Sequence, residues 1–253
     1  MSETSAAASA VHIHALAKRY GTLQALDGVS LDVAAGEAFG LVGANGAGKT
    51  TLIKCALDLA APDAGRVDFF GVERRLPASR ARLAYVPERF VPPHYLSARE
   101  FIALMVRLAG GRFDAERTVR VLGELELEPD ALERPVRKLS KGMTQKLGLA
   151  ASFLLDRDLY LLDEPMSGLD PVARVAVKSL LRRLAAEGKT LFFTSHVLSD
   201  VEELCSSVAV LHRGRLRFHG APAALCERYG ERRLEAAFIR CIRDDAGAAL
   251  AAA

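Results

Sequence analysis

The sequence predicts an α/β fold with a mostly parallel sheet, an N-terminal antiparallel β part and an inserted α-helical subdomain. Segments with strand-like and helix-like patterns alternate along most of the 253 residues, which is typical of a parallel sheet covered by helices. A glycine-rich loop joins one apolar strand to the helix that follows it. Between residues 91 and 155, apolar residues recur mainly with helical spacing, which indicates the inserted subdomain.

The N-terminal strands are predicted from alternation. Val11 to Leu16 alternates apolar and polar residues, as a strand with one solvent-facing side does, and residues 29–33 repeat this pattern. His12 and His14 fall on the polar side of the first strand. A metal site there is disfavoured, because no cysteine or third histidine lies nearby in the sequence. The apolar run 38–42 is predicted to be a buried strand.

The loop after this strand fits the pattern G-x-x-x-x-G-K-[ST] and indicates phosphate binding. Its glycines let the backbone approach phosphate oxygens, and successive amides point into the concavity. The helix that follows would place phosphate at its N-terminus, a context that disfavours a chance match by a glycine-rich turn. Lys49 is expected to reach the β- and γ-phosphates, and the Thr50 hydroxyl to bind Mg²⁺. The predicted nucleotide-binding residues of the loop are Gly43, Asn45, Gly46, Gly48, Lys49, Thr50 and Thr51.

The remaining elements follow the same two patterns. The apolar residues Phe101, Leu104, Met105 and Leu108 have helical spacing, and a glycine pair ends that helix. The predicted domains are an ATP-binding α/β core (1–89 and 156–222), a helical subdomain (90–155) and a short, partly disordered C-terminal extension (223–253). Core strands are predicted at 66–70, 83–86, 159–163, 190–194, 208–211 and 216–219, core helices at 171–187 and 198–204, and further subdomain helices near 119–127 and 143–155.

Two acids end the strand that begins at Leu159. A buried strand that ends in carboxylates places them at the carboxyl edge of the sheet, where ligands of α/β folds bind. Asp163 is therefore expected to hold Mg²⁺, directly or through water, and Glu164 to polarise an attacking water. An ordinary strand with an acidic turn is the alternative, which the phosphate loop elsewhere in the chain disfavours.

A second candidate anion site begins an apolar helix at residues 139–143. Ser140 has the character of a helix N-cap, and Lys141 adds positive charge beside the helix N-terminus. Both features favour an anion. Simple capping, without any ligand, is the structural alternative for this segment.

These segments together resemble the ATP-binding subunits of ABC transporters, over about residues 11–222. Residues 43–51 resemble the Walker A motif, and residues 159–164 resemble Walker B. Residues 139–143 are similar to the LSGGQ signature in a variant form, Leu-Ser-Lys-Gly-Met. Residues 167–170 resemble the D-loop.

Three single residues extend the resemblance. His196 matches the switch histidine, and Tyr20 stands where the family has an aromatic residue that stacks on adenine. Glu88 stands where the family usually has Gln. The variant signature and Glu88 together are similar to the motifs of one large bacterial branch of the family, which is dominated by exporters.

The resemblance implies a RecA-like P-loop NTPase core that binds ATP and Mg²⁺ and hydrolyses ATP. It assigns catalysis to Lys49, Glu164 and His196, and Mg²⁺ contacts to Thr50, Asp163 and Glu88. Two cassettes of this family dock head to tail. Ser140 and Gly142 of one chain would then complete the γ-phosphate site of the other, and Asp170 would join the two sites.

The implied partners are a membrane-spanning permease subunit and a second ATP-binding subunit. One complete motif set per chain permits a symmetric homodimer, which is the expectation, with a heterodimer left open. No nucleic-acid partner is expected, because the net charge is only +3 and the arginines are scattered among acids, as on a solvated basic face. The large apolar groups at residues 91–96 are predicted to form a surface groove that receives a helix of the membrane subunit.

The expected location is the cytoplasmic face of the inner (cell) membrane, as a peripheral protein. The cysteines Cys55, Cys205, Cys226 and Cys241 show no C-x-x-C pairing and are expected to be reduced, residues 1–10 lack the pattern of a secretory signal, and no segment could span a bilayer unaided. Two alternatives remain, a soluble ABC-type ATPase of DNA repair or translation and a nucleotide-binding regulator without turnover. The sequence does not identify the transported substrate.

Overall fold

The structure, a computed structural model, describes residues 9–244, which fold into two sheets and their covering helices. The last part of the predicted C-terminal extension, residues 245–253, lies outside the described residues, as does most of the N-terminal segment 1–10. The strands are β1 (Ser9–Tyr20), β2 (Leu23–Ala34), β3 (Ala38–Val42), β4 (Ala64–Phe69), β5 (Val72–Glu73), β6 (Leu83–Val86), β7 (Leu159–Leu162), β8 (Thr190–Ser195), β9 (Ser207–His212) and β10 (Arg215–Gly220). The α-helices are α1 (Lys49–Ala56), α2 (Ala98–Leu108), α3 (Ala115–Glu124), α4 (Lys141–Leu154), α5 (Pro171–Ala186), α6 (Leu198–Leu204), α7 (Pro222–Tyr229) and α8 (Leu234–Arg243).

A six-stranded sheet forms the centre of the core, in the order β10-β9-β3-β8-β7-β6. The pairings among β9, β3, β8, β7 and β6 are parallel, and β10 pairs antiparallel with β9 at one edge. Every residue of β3, β7 and β8 is buried. Strands buried on both faces read as continuous apolar runs, which explains why their sequences do not alternate. The predicted parallel α/β core is confirmed.

The N-terminal part is a four-stranded antiparallel sheet in the order β2-β1-β4-β5. Its inner face carries Val11, Ile13 and Leu16, which pack in one core cluster with Phe39 of β3 and Leu52 of α1. The outer face is more solvated, so its strands alternate as predicted. Its strands β1 and β2 line one cavity together with the phosphate loop.

Helices α2, α3 and α4 follow β6 and precede β7, as the helical spacing predicted. Ser97 and Glu100 form a capping box at the start of α2, and Asp114 caps α3. Phe101 is buried and Met105 packs against the same core, so both residues fill the subdomain. Ser140 caps α4, because its hydroxyl accepts a hydrogen bond from the Met143 amide at 3.2 Å.

Three features differ from the sequence expectations. The C-terminal helices α7 and α8 were not predicted; Leu225 and Leu234 bury their side chains in the main core. Strand β4 is Ala64–Phe69 and so begins before the strand predicted at 66–70. Arg74, which was expected on a solvated basic face, is buried and forms an ion pair with Asp58. The apolar residues of α8 do have helical spacing, so the sequence contained a signal for this helix, whereas the burial of a single arginine leaves no such pattern.

None of the helices within residues 9–244 has both the length and the apolar character needed to cross a bilayer. All the cysteines in this range are free thiols, as expected from their spacing.

Candidate nucleotide-binding site

A cavity of about 660 Å³ opens at the carboxyl edge of the central sheet, between the phosphate loop and the N-terminal sheet. Strands β3 and β7 end at this edge, and the loop after β8 also reaches it. Ligands of open α/β sheets bind in this position. The lining residues are Tyr20, Leu23, Ala25, Asn45, Gly46, Ala47, Gly48, Lys49, Thr50, Thr51, Glu88, Asp163, Glu164 and His196.

The phosphate loop leaves the N-terminus of α1 open. Gly48 precedes the helix with φ +112°, and a Cβ there would lie 2.5 Å from the carbonyl oxygen of Ala25, so the position requires glycine. No side chain caps α1, and its first turn contains no acid. Its first amide groups therefore remain available to an anion, which fits the α- and β-phosphates of a nucleotide.

Lys49 is held inside the loop that it follows. Its Nζ donates hydrogen bonds to the carbonyl oxygens of Gly43 at 2.6 Å and Ala44 at 3.4 Å. Burial lowers the pKa of Lys49, although nearby carboxylates, above all that of Glu164, act in the opposite direction. The ammonium group is thus placed among the loop carbonyls and the acidic end of β7, where it can reach the terminal phosphates.

Oxygen donors that could hold a metal ion meet at Asp163. Thr194 donates a hydrogen bond from Oγ1 to Asp163 Oδ1 at 2.7 Å, which fixes the carboxylate, and the Thr50 hydroxyl also bonds to it. Burial raises the pKa of Asp163, and these hydroxyl hydrogen bonds oppose the shift. Within residues 9–244, no cluster of three His, Cys, Asp or Glu side chains is arranged to hold a metal. One carboxylate with one hydroxyl suits Mg²⁺, which keeps waters and takes further oxygens from substrate phosphates.

Glu164 and His196 form a pair beside this acid. Nδ1 of His196 lies 2.8 Å from Oε2 of Glu164, and the Glu164 amide donates to Thr194 Oγ1 at 2.9 Å. Glu164 has φ +50°, a conformation that is unfavourable for a residue with a side chain. The carboxylate is nearly buried, whereas the imidazole is more than half exposed. The acid is therefore oriented by its neighbours on the wall of the cavity.

The predicted site residues divide into two groups. Those of the phosphate loop, with Tyr20, Glu88, Asp163, Glu164 and His196, line the cavity. Gly43 does not line it but holds Lys49 through its carbonyl oxygen. The second group, Ser140, Gly142 and Asp170, is absent from the lining, and Ser140 and Asp170 are exposed.

Sequence reasoning missed Leu23 and Ala25, which line the cavity with Tyr20. They stand two residues apart at the start of β2, so they share one face of the strand. Leu23 pairs with Tyr20 across the two-residue turn at 21–22, so its closeness to Tyr20 in the sequence was the available signal. Together with Tyr20 they give the cavity an apolar end, opposite the charged end at Lys49.

A second cavity, of about 460 Å³, lies between the loop after β6 and the start of α4. Glu88 lines both this cavity and the nucleotide pocket. Phe90 and Val91 form part of its apolar wall, but Tyr95 and Leu96 of the predicted groove do not line it. Tyr95 is instead exposed on the surface, and Leu96 packs against the main core.

Comparison with known proteins supports this geometry. Residues 26–167 match the sequence profile of the family described as ABC transporter. The chain belongs to the ABC transporter family. It is 38% identical over 220 residues to the Nod factor export ATP-binding protein I of Paraburkholderia xenovorans, over 86% of this chain and 72% of that protein. The family prediction is confirmed.

A further relative is longer, and a solved structure supports the fold. An uncharacterised ABC transporter ATP-binding protein of Nostoc sp. is 40% identical over 203 residues; the match covers 78% of this chain and 59% of that protein. The chain thus spans about three fifths of that relative's length. A solved ATP-binding subunit of an ABC transporter superposes with a TM-score of 0.85 at 30% identity, covering 92% of this chain and 99% of that one. The predicted fold class is confirmed.

Proposed function

We propose that this ABC family member is an ATP-binding and ATP-hydrolysing motor subunit. The observation that carries the proposal is that one cavity is lined by Lys49, Thr50, Asp163, Glu164 and His196 together. Phosphoryl transfer to water needs positioning and charge neutralisation more than covalent chemistry, and these side chains supply both.

Each residue has a defined role in this proposal. The α1 amides and Lys49 bind the phosphates, while Thr50 and Asp163 would hold Mg²⁺, which would neutralise charge on the β- and γ-phosphate oxygens when bound. Glu164 accepts a hydrogen bond from the attacking water and orients it toward the γ-phosphorus. His196 keeps that carboxylate in place through the 2.8 Å contact.

The proposal includes a second ATP-binding subunit. Ser140, Gly142 and Asp170 lie outside the cavity of their own chain, and helix α4 starts at the exposed Ser140. In a head-to-tail pair, the α4 N-terminus of one chain would face the γ-phosphate bound by the other, where its amides and the Ser140 hydroxyl could donate hydrogen bonds. A homodimer is the simplest assembly, because each chain carries both halves of the site.

The membrane-spanning permease subunit is proposed to bind near the loop after β6. Val91 and Tyr95 are 67% and 78% exposed there, although both are large apolar residues. This surface would place the chain peripherally on the cytoplasmic face of the cell membrane. The match to a Nod factor exporter favours export over import, with the soluble ATPase of DNA repair or translation as the alternative function.

The partner proposal is tested by co-purification with the membrane subunit. Tyr95→Glu is expected to abolish co-purification and to leave basal ATP hydrolysis intact, since Tyr95 does not line the nucleotide cavity. The control is Leu108→Glu, which adds the same charge at a residue that is 75% exposed on α2. If co-purification is lost equally in both variants, or is kept in both, Tyr95 is not part of the interface.

The ATPase proposal is tested by measuring phosphate release from ATP with and without Mg²⁺. The wild-type chain is expected to hydrolyse ATP only with Mg²⁺, and Lys49→Ala to lose both binding and turnover. Magnesium-dependent binding without turnover, even with the membrane subunit present, would favour the regulator over the motor subunit.

A further inference from the structure

We infer that Arg174 and Asp200 are positioning residues for the Glu164–His196 pair, an inference that rests on the proposed ATPase function. Asp200 lies on α6, and Arg174 lies on α5, one turn after the cap residue Asp170. Arg174 Nη2 is 2.5 Å from Asp200 Oδ2. Asp200 is only 2% exposed, so the contact is a charge-assisted hydrogen bond shielded from water.

Helices α5 and α6 follow Glu164 and His196, respectively, along the chain. Glu164 is followed by a short loop that ends at Asp170, the N-cap of α5. His196 is followed by Val197, the N-cap residue of α6. Segments 164–174 and 196–200 are thus joined twice, by the Glu164–His196 contact where they begin and by the Arg174–Asp200 ion pair where they end. The two segments and the two contacts form a closed ring.

The middle of this ring is not filled by side chains. A small cavity of about 80 Å³ is lined by Glu164 and His196 and also by Arg174 and Asp200. Close packing normally fixes the separation of neighbouring segments in a protein interior. Packing is interrupted at this cavity, and ion pairs join α5 to α6 beside it; Arg174–Asp200 is the pair of which both residues line the cavity.

Charge compensation alone does not explain Arg174. Lys178 Nζ lies 2.9 Å from Asp200 Oδ1, so this carboxylate already faces a second cation. Lys178 also pairs with Glu203, which in turn pairs with Arg182 further along α5. Arg174 and Arg182 thus carry the same charge in the same network, but the Arg182–Glu203 pair is more exposed, and only Arg174 lines the cavity with His196.

This symmetry provides a matched pair of variants. Arg174→Gln leaves Asp200 paired with Lys178, and Arg182→Gln leaves Glu203 paired with Lys178. Neither variant strands a buried charge, which would be strongly destabilising. ATP turnover by the full chain is expected to fall about tenfold or more in Arg174→Gln, since small displacements of catalytic groups have effects of this size. Arg182→Gln is expected to keep wild-type turnover, as exposed ion pairs contribute little.

The kinetic pattern separates positioning from general damage. Arg174→Gln should lower kcat and leave the KM for ATP unchanged, because the phosphate loop and Tyr20 are untouched. Arg174→Lys keeps a cation with a shorter reach and should recover part of the lost kcat. Equal kcat in Arg174→Gln and Arg182→Gln would overturn the inference, and so would a lower kcat that Arg174→Lys does not improve.

Amide hydrogen exchange gives a measurement that does not depend on activity. Exchange of the amides from Ser195 to Leu198 in the nucleotide-free chain is expected to be faster in Arg174→Gln than in wild type and unchanged in Arg182→Gln. Absence of ATP hydrolysis by wild type would reject the proposed function, while the exchange comparison would still decide this inference. Equal exchange in both variants would overturn it.

Discussion

The nucleotide pocket is complete within one chain, whereas the signature region (Ser140, Gly142 and Asp170) is proposed to act on a nucleotide bound by a second chain. In the pocket, Lys49, Asp163 and Glu164 are buried and hydrogen-bonded at the end of the central sheet. In the signature region, Ser140 and Asp170 are exposed helix caps whose oxygens accept hydrogen bonds from amides of their own helices. The pocket side chains are therefore held in place by the core, whereas the caps in the signature region form hydrogen bonds only within their own helices.

This difference predicts which residues act within a single chain and which act only in an assembly of two chains. The pocket residues act within a single chain and should control binding and chemistry at every protein concentration. The signature residues should matter only in an assembly, because nothing in their own chain brings them to the cavity. The following variants test this division, from the largest expected effect to the smallest.

Glu164→Gln should have the largest effect. It keeps the size of the side chain and removes the carboxylate that orients water, so ATP turnover is expected to fall at least about a hundredfold. ATP affinity should be retained, since Lys49 and the α1 amides are unchanged. An ATP-dependent dimer should then accumulate and be visible by light scattering. Near-normal turnover in this variant would remove Glu164 from the mechanism.

Tyr20→Ala should come next and should affect binding. Tyr20 is 47% exposed at the apolar end of the pocket, and base–aromatic stacking contributes about 1–3 kcal/mol without strict choice of base. ATP and GTP are therefore expected to lose affinity alike, as measured by titration calorimetry. Tyr20→Phe, which keeps the ring, is the control and should bind normally. Unchanged affinity in Tyr20→Ala would leave Tyr20 with a packing role only.

Glu88→Gln should have a smaller effect, confined to the metal dependence. Glu88 is exposed and lines both cavities, so its charge acts on the Mg²⁺ region through water, where a pair about 4 Å apart interacts by about 1 kcal/mol. ATP affinity of wild type is expected to depend more on Mg²⁺ than that of Glu88→Gln. Identical dependence would place the role of Glu88 in the assembled transporter.

The same contrast explains what the sequence could predict. The pocket follows from local patterns, because a glycine-rich loop between strand and helix and two acids after an apolar strand must meet at one sheet edge. The Arg174–Asp200 pair was missed, since it becomes a neighbour of the site only through tertiary contacts. Helix α8 was missed although its apolar residues Leu234, Ala237, Phe238, Cys241 and Ile242 have helical spacing, so the sequence did contain the pattern of this helix.

Ser140→Ala should have the smallest effect on a single chain and is the sharpest test of the division. Ser140 and Ser97 make the same hydroxyl cap, since each hydroxyl accepts a hydrogen bond from an amide three residues later at 3.2 Å. Replacing either with alanine is expected to lower the free energy of unfolding by about 1 kcal/mol, as measured by urea denaturation. Neither change should alter the ATP affinity of the isolated chain. Turnover and ATP-dependent dimerisation should fall only in Ser140→Ala, because only this hydroxyl is proposed to reach a phosphate on another chain. If Ser97→Ala reduces turnover equally, the effect is one of stability, and Ser140 is a helix cap without a role in the second subunit's site.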